Sequence, residues 1–153
     1  MKVIIGADPM GFTLKQAVVE DLKKKGYDVC DVNPDAPIPF QNAAKAVAAG
    51  VQSKEYERGI AICGTGMGVS IICNKYRGVY AALCESVYTA RRAKVVNNTN
   101  VLCMGGMVVA PVMGVEMANA WLEAEHLMGM DEAAKAQVGK EADELVYVEE
   151  EQY

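Results

Sequence analysis

The chain has 153 residues, 52% hydrophobic and 23% charged, with a mean hydropathy of +0.07, enough apolar material for a single folded domain over 1–153 and too much for a disordered chain. No apolar run reaches the roughly 18 residues that cross a bilayer, and the short apolar stretch before Asp8 is no secretory core, so a cytoplasmic protein without a membrane partner is expected. The net charge of −5 is uneven: residues 131–153 carry eight acids and two bases, read as a solvated acidic extension, and the rest sums to +1, too little for a nucleic-acid surface.

Lys2–Ala7 reads as a buried strand. Helical spacing of Phe12, Leu14, Ala17, Val18 and Leu22 predicts a helix over Gly11–Lys25, with lysines at its carboxyl end and a stop at Gly26. Tyr27–Val32 is a second strand, and the prolines of 33–39 mark a loop. Helices are expected over Asn42–Ser53, Met67–Lys75, Val87–Val96, Val112–Met128 and Asp131–Glu144. Strands are expected over Arg58–Ile62, Val79–Leu83 and Val101–Met104. The strands are short apolar runs without in-out alternation, as in a parallel sheet covered on both faces. The expected fold is α/β: a three-layer, doubly wound (Rossmann-like) sandwich with a five-stranded parallel sheet and a C-terminal helical extension. Ligands of such sheets sit beyond the carboxyl ends of strands, which singles out Asp8, the turn Cys63–Gly68, Cys84-Glu85 and Gly105-Gly106.

The single histidine, His126, falls in the expected Val112–Met128 helix, so a Ser-His-Asp triad or multi-histidine metal site is excluded. The five cysteines are odd in number and include no CxxC pair, and are expected as free thiols. The turn Cys63-Gly64-Thr65-Gly66-Met67-Gly68 follows a strand and opens a helix, where exposed amides bind anions. A dinucleotide fingerprint would need glycine at Val69, and a phosphate loop at Gly6–Gly11 would need lysine at Phe12. Tight strand-to-helix packing is the other reading of the turn. Cys63 is a candidate thiolate base or nucleophile at its mouth, or a small buried apolar residue. A redox-sensing thiol would lack a resolving cysteine nearby in sequence.

The run Gly6-x-Asp8-x-x-Gly11-Phe12-x-Leu14-Lys15, the turn Ile62–Ser70, Asn74-Lys75, Tyr88–Arg91 and Asn97-Asn98-Thr99-Asn100-Val101-Leu102 together resemble the type B ribose-5-phosphate isomerases and the related galactose-6-phosphate isomerase subunits, over about 2–128. The resemblance implies a metal-free aldose–ketose isomerase without a cofactor. It implies Cys63 as the base that moves a proton through a cis-enediolate, and Thr65 as the handler of hydroxyl protons. Amides of Gly64, Gly66, Met67 and Gly68 and the side chain of Asn97 would hold the oxyanion, with Asp8 and Pro9 against the sugar hydroxyls. It also implies a homodimer or higher oligomer whose site is completed across the interface, with a sugar or sugar phosphate as ligand. The requirement for a matched base and a preorganised oxyanion site is general to carbon acids.

Several positions depart from the family pattern. Pro9 stands for a histidine, Val96 for the ring-opening histidine, Ile38 for a tyrosine and Met107 for a phosphate-binding arginine. Residues 128–142 hold no arginine, only Lys135 and Lys140. The carbon-acid half is intact while ring opening and the usual phosphate clamp are missing. Three explanations follow: an open-chain or short substrate such as a four-carbon keto sugar phosphate, an unphosphorylated substrate, or one half of a heteromer with a second related subunit. Ile38–Phe40, Val51–Ser53 and Asn97-Asn98 are similar to the A-type galactose-6-phosphate isomerase subunit, which lacks the cysteine present here. A catalytically silent or sugar-binding module is the rival outside enzymology. Arg77, Arg91 and Arg92 could supply a phosphate site from another direction, or be solvated surface. The late methionines Met104, Met107, Met113, Met117, Met128 and Met130 are expected mainly as core filling.

Overall fold

A computed structural model describes residues 1–152; Tyr153, the end of the acidic extension, lies outside the described residues. The elements in chain order are β1 (Lys2–Ala7), α1 (Phe12–Lys24), β2 (Asp28–Asp31), α2 (Phe40–Gln52), β3 (Arg58–Cys63), α3 (Met67–Cys73), β4 (Ala81–Leu83), α4 (Val87–Val95), β5 (Val101–Gly105), α5 (Pro111–Leu122) and α6 (Glu132–Gln152). The five strands pair in parallel in the order β2-β1-β3-β5-β4. This is the expected doubly wound sandwich.

The strand residues divide between two apolar layers, as the period of two demands. Val3, Ile5, Ala7, Ile60, Ile62, Leu102 and Met104 pack under α1, α4 and α5, around the fully buried Trp121. Ile4, Ala61, Cys63, Val101 and Cys103 pack under α2 and α3. Small side chains prevail on that second face because the alanine-rich α2 lies close. A Cβ on Gly59 would stand 2.6 Å from Val47. α4 begins with a reciprocal Ser86–Thr89 capping box.

Two expectations at the carboxyl end need correction. α5 stops at Leu122 rather than Met128. The buried Arg58 guanidinium stacks on Trp121 and donates to the Trp121 and Ala124 carbonyls, and Leu127 and Gly129 take positive φ. The acidic extension is not a loose tail. α6 runs on to Gln152, and the Glu149 carboxylate accepts from the Gly78 N–H and the Tyr80 hydroxyl. Among the described residues no helix is long and apolar enough to cross a membrane.

Candidate active site

β1 and β3 are neighbours at the centre of the sheet, and the chain winds away from them in opposite directions, to β2 on one side and to β5 and β4 on the other. The crevice of a doubly wound sheet lies at that switch. Asp8 directly follows β1, and Cys63 ends β3 beside it. The Asp8 N–H donates to the Ile62 carbonyl, and one Asp8 carboxylate oxygen accepts from the Gly11 N–H at 2.9 Å.

Cys63 is 6% exposed, and the Gly66 N–H donates to its Sγ at 3.2 Å. Gly66 can do this because its φ is +78°, in the left-handed region open to glycine. A Cβ there would also strike Leu83 and the Met104 backbone. Thr65 is exposed at the mouth of the turn, its Oγ1 accepting from the Met67 N–H at 3.4 Å. The turns after β1, β3 and β5 lie backbone against backbone. The Gly106 N–H donates to the Cys63 carbonyl at 2.8 Å and the Met107 N–H to the Gly64 carbonyl at 2.9 Å. A side chain on Gly106 would meet the Met10 carbonyl, and one on Gly105 the Thr65 backbone. Asp8, Pro9, Cys63, Gly64, Thr65, Gly66, Met67 and Gly68 thus gather at one end of the sheet, as expected.

All five cysteines are free thiols. Burial pushes Cys84 up to about 11. Hydrogen bonding with Cys73, followed by burial, raises Cys103 well above the ordinary thiol range. Both are held protonated in the core, whereas the Cys63 sulfur faces a main-chain donor.

Sequence reasoning missed one supporting network. Lys15 is fully buried on α1, and its Nζ donates to both Asp31 oxygens and to the Asn33 carbonyl, each at 2.7 Å, while lying 4.6 Å from the Phe12 ring centroid. Asn33 in turn exchanges two hydrogen bonds with the Ala7 backbone, at 3.1 and 2.9 Å, one residue before Asp8. The available signal was a lysine set among the apolar positions Leu14, Val18 and Leu22.

Asn97 is not brought to Cys63 within one chain. It precedes β5, whose Val101 pairs with Gly59 at the amino end of β3, while Cys63 pairs with Gly105 at the other end. Its neighbours are Tyr80, Asn98 and His126. His126 is not helical as expected but sits half-buried in the turn between α5 and α6. Arg77 precedes β4 at the same amino end, and Arg91 and Arg92 lie exposed on α4, so the three arginines do not converge on the glycine turn. Of the late methionines only Met104 and Met117 are core; Met107, Met113 and Met128 are exposed. Met107 (71% exposed), Met10 and Met67 (each 55%) form an apolar rim round the turn. Among the described residues no group of His, Cys, Asp and Glu is disposed to hold a metal ion.

The profile of the Ribose/Galactose Isomerase family matches residues 3–138. The chain is 46% identical over 135 residues to a 4-deoxy-4-sulfo-D-erythrose isomerase of Clostridium sp. (strain MSTE9), covering 86% of this chain and 85% of that protein. It is 36% identical over 129 residues to a D-erythrulose-4-phosphate isomerase of Pectobacterium atrosepticum, covering 82% and 84%. Among solved structures, ribose-5-phosphate isomerase B of Clostridium thermocellum superposes with a TM-score of 0.89 at 34% identity over the whole of both chains.

Proposed function

This chain belongs to the ribose/galactose isomerase family and is a sugar isomerase, and we propose that it interconverts a four-carbon aldose and ketose whose terminal carbon carries an anionic group. Val96 carries this reading, standing where ring-opening members of the family have a histidine. A tetrose whose C4 bears a sulfonate or phosphate has no hydroxyl placed to close a five-membered ring. Its carbonyl is therefore exposed without help, and a valine at this position costs nothing. The names of the sulfo-erythrose and erythrulose-phosphate relatives point the same way.

The proposed chemistry uses the carboxyl end of β3. The Cys63 thiolate takes the proton from the hydroxyl-bearing carbon next to the carbonyl, and the electron pair moves onto the carbonyl oxygen. Thr65 relays a proton between the two oxygens of the enediolate. The Cys63 thiol then returns its proton to the former carbonyl carbon, so nothing is gained or lost overall. The Gly66 N–H steadies the sulfur anion before the step. The neighbouring amides of the turn are placed for the oxyanion, and Asp8 for a hydroxyl.

Asn97 joins such a site only from a second copy. The reading therefore includes a homodimer in which one chain's Asn97 meets the other's Cys63 turn. The apolar rim of Met10, Met67, Met107, Val108 and Val112 supports a covered interface there. Steady-state isomerisation of four-, five- and six-carbon substrates, with sulfonate, phosphate or free hydroxyl ends, tests the reading. Activity confined to open-chain four-carbon anions is the expected result; a preference for ribose 5-phosphate would overturn it.

A further inference from the structure

β2 stops one step short of the site, and a proline is the reason. The β1–β2 ladder pairs Ile5 with Asp31, and the Val32 N–H donates to the Ile5 carbonyl at 2.8 Å. One step further along this parallel register, Ala7 would stand opposite Asn33, and its carbonyl would take the N–H of residue 34. Residue 34 is Pro34, which has no N–H to give. Ala7 is fully buried and ends β1. Without a substitute, two orphaned backbone groups would lie directly before Asp8.

The Asn33 side chain takes the place of the missing strand. Its Oδ1 accepts from the Ala7 N–H and its Nδ2 donates to the Ala7 carbonyl. One side-chain amide thus replaces two peptide groups, and the backbone is free to turn away into the proline-marked loop. The other polar groups of Asn33 are also used. Its Nδ2 donates a second time, to the Ala36 carbonyl at 2.9 Å. Its N–H donates to the Asp31 Oδ1 at 3.1 Å, and its carbonyl accepts from the Lys15 Nζ at 2.7 Å. A 5% exposed amide with every donor and acceptor engaged is a rigid support. On its other side the Asp8 backbone is held only from β3, through the Ile62 carbonyl. The Asn33 amide and β3 therefore grip the Ala7–Asp8 peptide between them.

We propose that Asn33 is a positioning residue for the reaction: its amide fixes the Ala7–Asp8 backbone and so aims the Asp8 carboxylate at the substrate. The proposal rests on the reading above, in which Asp8 takes a sugar hydroxyl beside the Cys63 turn.

A double-mutant cycle tests it. Asn33→Ala is expected to lower kcat/KM for the four-carbon sulfonate or phosphate by about 10–100-fold, the scale of a misplaced binding group. In an Asp8→Ala background the same substitution should change kcat/KM by less than about 2-fold, because the group it aims is gone. A general weakening of the domain would be felt equally in both backgrounds, so equal losses overturn the proposal. Full activity in Asn33→Ala overturns it too. Should Asn33→Ala not fold, Asn33→Asp carries the same cycle, keeping the volume and the acceptor but not the Nδ2 donor. Gln16→Ala removes a hydrogen bond to the Pro34 carbonyl of the same loop without touching Ala7. It should keep wild-type kcat/KM; a loss as large as that of Asn33→Ala would assign the effect to the loop rather than to the amide. The Gly11 N–H, which donates to the Asp8 carboxylate, reports the aim without any substrate. Its backbone amide resonance should shift in Asn33→Ala and stay in place in Gln16→Ala. An unmoved Gly11 resonance in an active protein would overturn the positioning and leave the isomerase reading standing. A shifted one in a protein that isomerises no sugar would support the positioning and sink that reading.

Discussion

The Gly66 N–H points at the Cys63 sulfur from 3.2 Å, and it does so only because Gly66 adopts a φ of +78°. Any side chain at this position is strained twice, by the backbone angle and by Leu83 and Met104 behind it. Gly66→Ala is expected to cost about 1–3 kcal/mol of stability in urea denaturation and to lose far more activity than that fraction of unfolded protein explains. Full activity in Gly66→Ala would contradict the role given to this donor.

The thiols should separate by reactivity. Cys84, pushed up to about 11 by burial, and Cys103, raised by its hydrogen bonding with Cys73 and by burial, remain protonated near neutral pH. Brief iodoacetamide treatment of the native protein at pH 8, mapped by mass spectrometry, should label Cys63 well ahead of Cys84 and Cys103. Equal, slow labelling of all three would contradict the role given to the Cys63 thiolate.

Much of this was legible in the sequence because it depends on local pattern. Five short apolar runs alternating with helical spacings led to the sheet, and the glycines after Cys63 led to the turn. The rest depended on long-range partners. α5 ends early where Arg58, some sixty residues before its end, takes the Trp121 carbonyl of its last turn and the Ala124 carbonyl just beyond it. Lys15 reads as one more charge on an amphipathic helix until Asp31 and Asn33 fold over it. Asn97 follows the right motif but lies at the far end of the sheet, because a helix returns the chain to the amino edge before β5 begins.

The Lys15 network makes a stability prediction. Lys15→Met leaves the Asp31 carboxylate, only 6% exposed, without its cation. The expected loss is about 3–5 kcal/mol by chemical denaturation. Lys15→Met combined with Asp31→Leu should recover a large part of it, since both charges are then gone. If the double variant is no more stable than the single one, the ion pair is not the source of the loss.

Lys94 gives the fold a pH dependence. Burial first, and the Arg58 guanidinium second, lower it from 10.5 to about 8. Between those values the unfolded chain holds a proton that the folded chain has released, so this group makes stability rise with pH from about 8 to 10.5. Lys94→Met removes the effect while leaving the cysteines as they are. Its stability relative to wild type should therefore fall between pH 7 and pH 10, by up to about 3 kcal/mol. A constant difference across that range would contradict the lowered value.

Site sharing predicts complementation. Cys63→Ala and Asn97→Ala should each be nearly inactive. Mixed after reversible dissociation, they should regain about a quarter of wild-type activity, because half the dimers are mixed and one of their two sites carries neither substitution. No recovery in a demonstrated mixed dimer would place both residues' work within one chain.

The central claim is a carbon-bound proton moved by Cys63, and hydrogen exchange tests it most directly. The protein is incubated in deuterated water with a four-carbon sulfonate or phosphate sugar while proton NMR follows the hydrogens beside the carbonyl. Wild type should wash in deuterium at those positions, and Cys63→Ala should slow this by roughly 10²–10⁴-fold with its fold intact. Exchange that proceeds unchanged in Cys63→Ala would show that another group is the base.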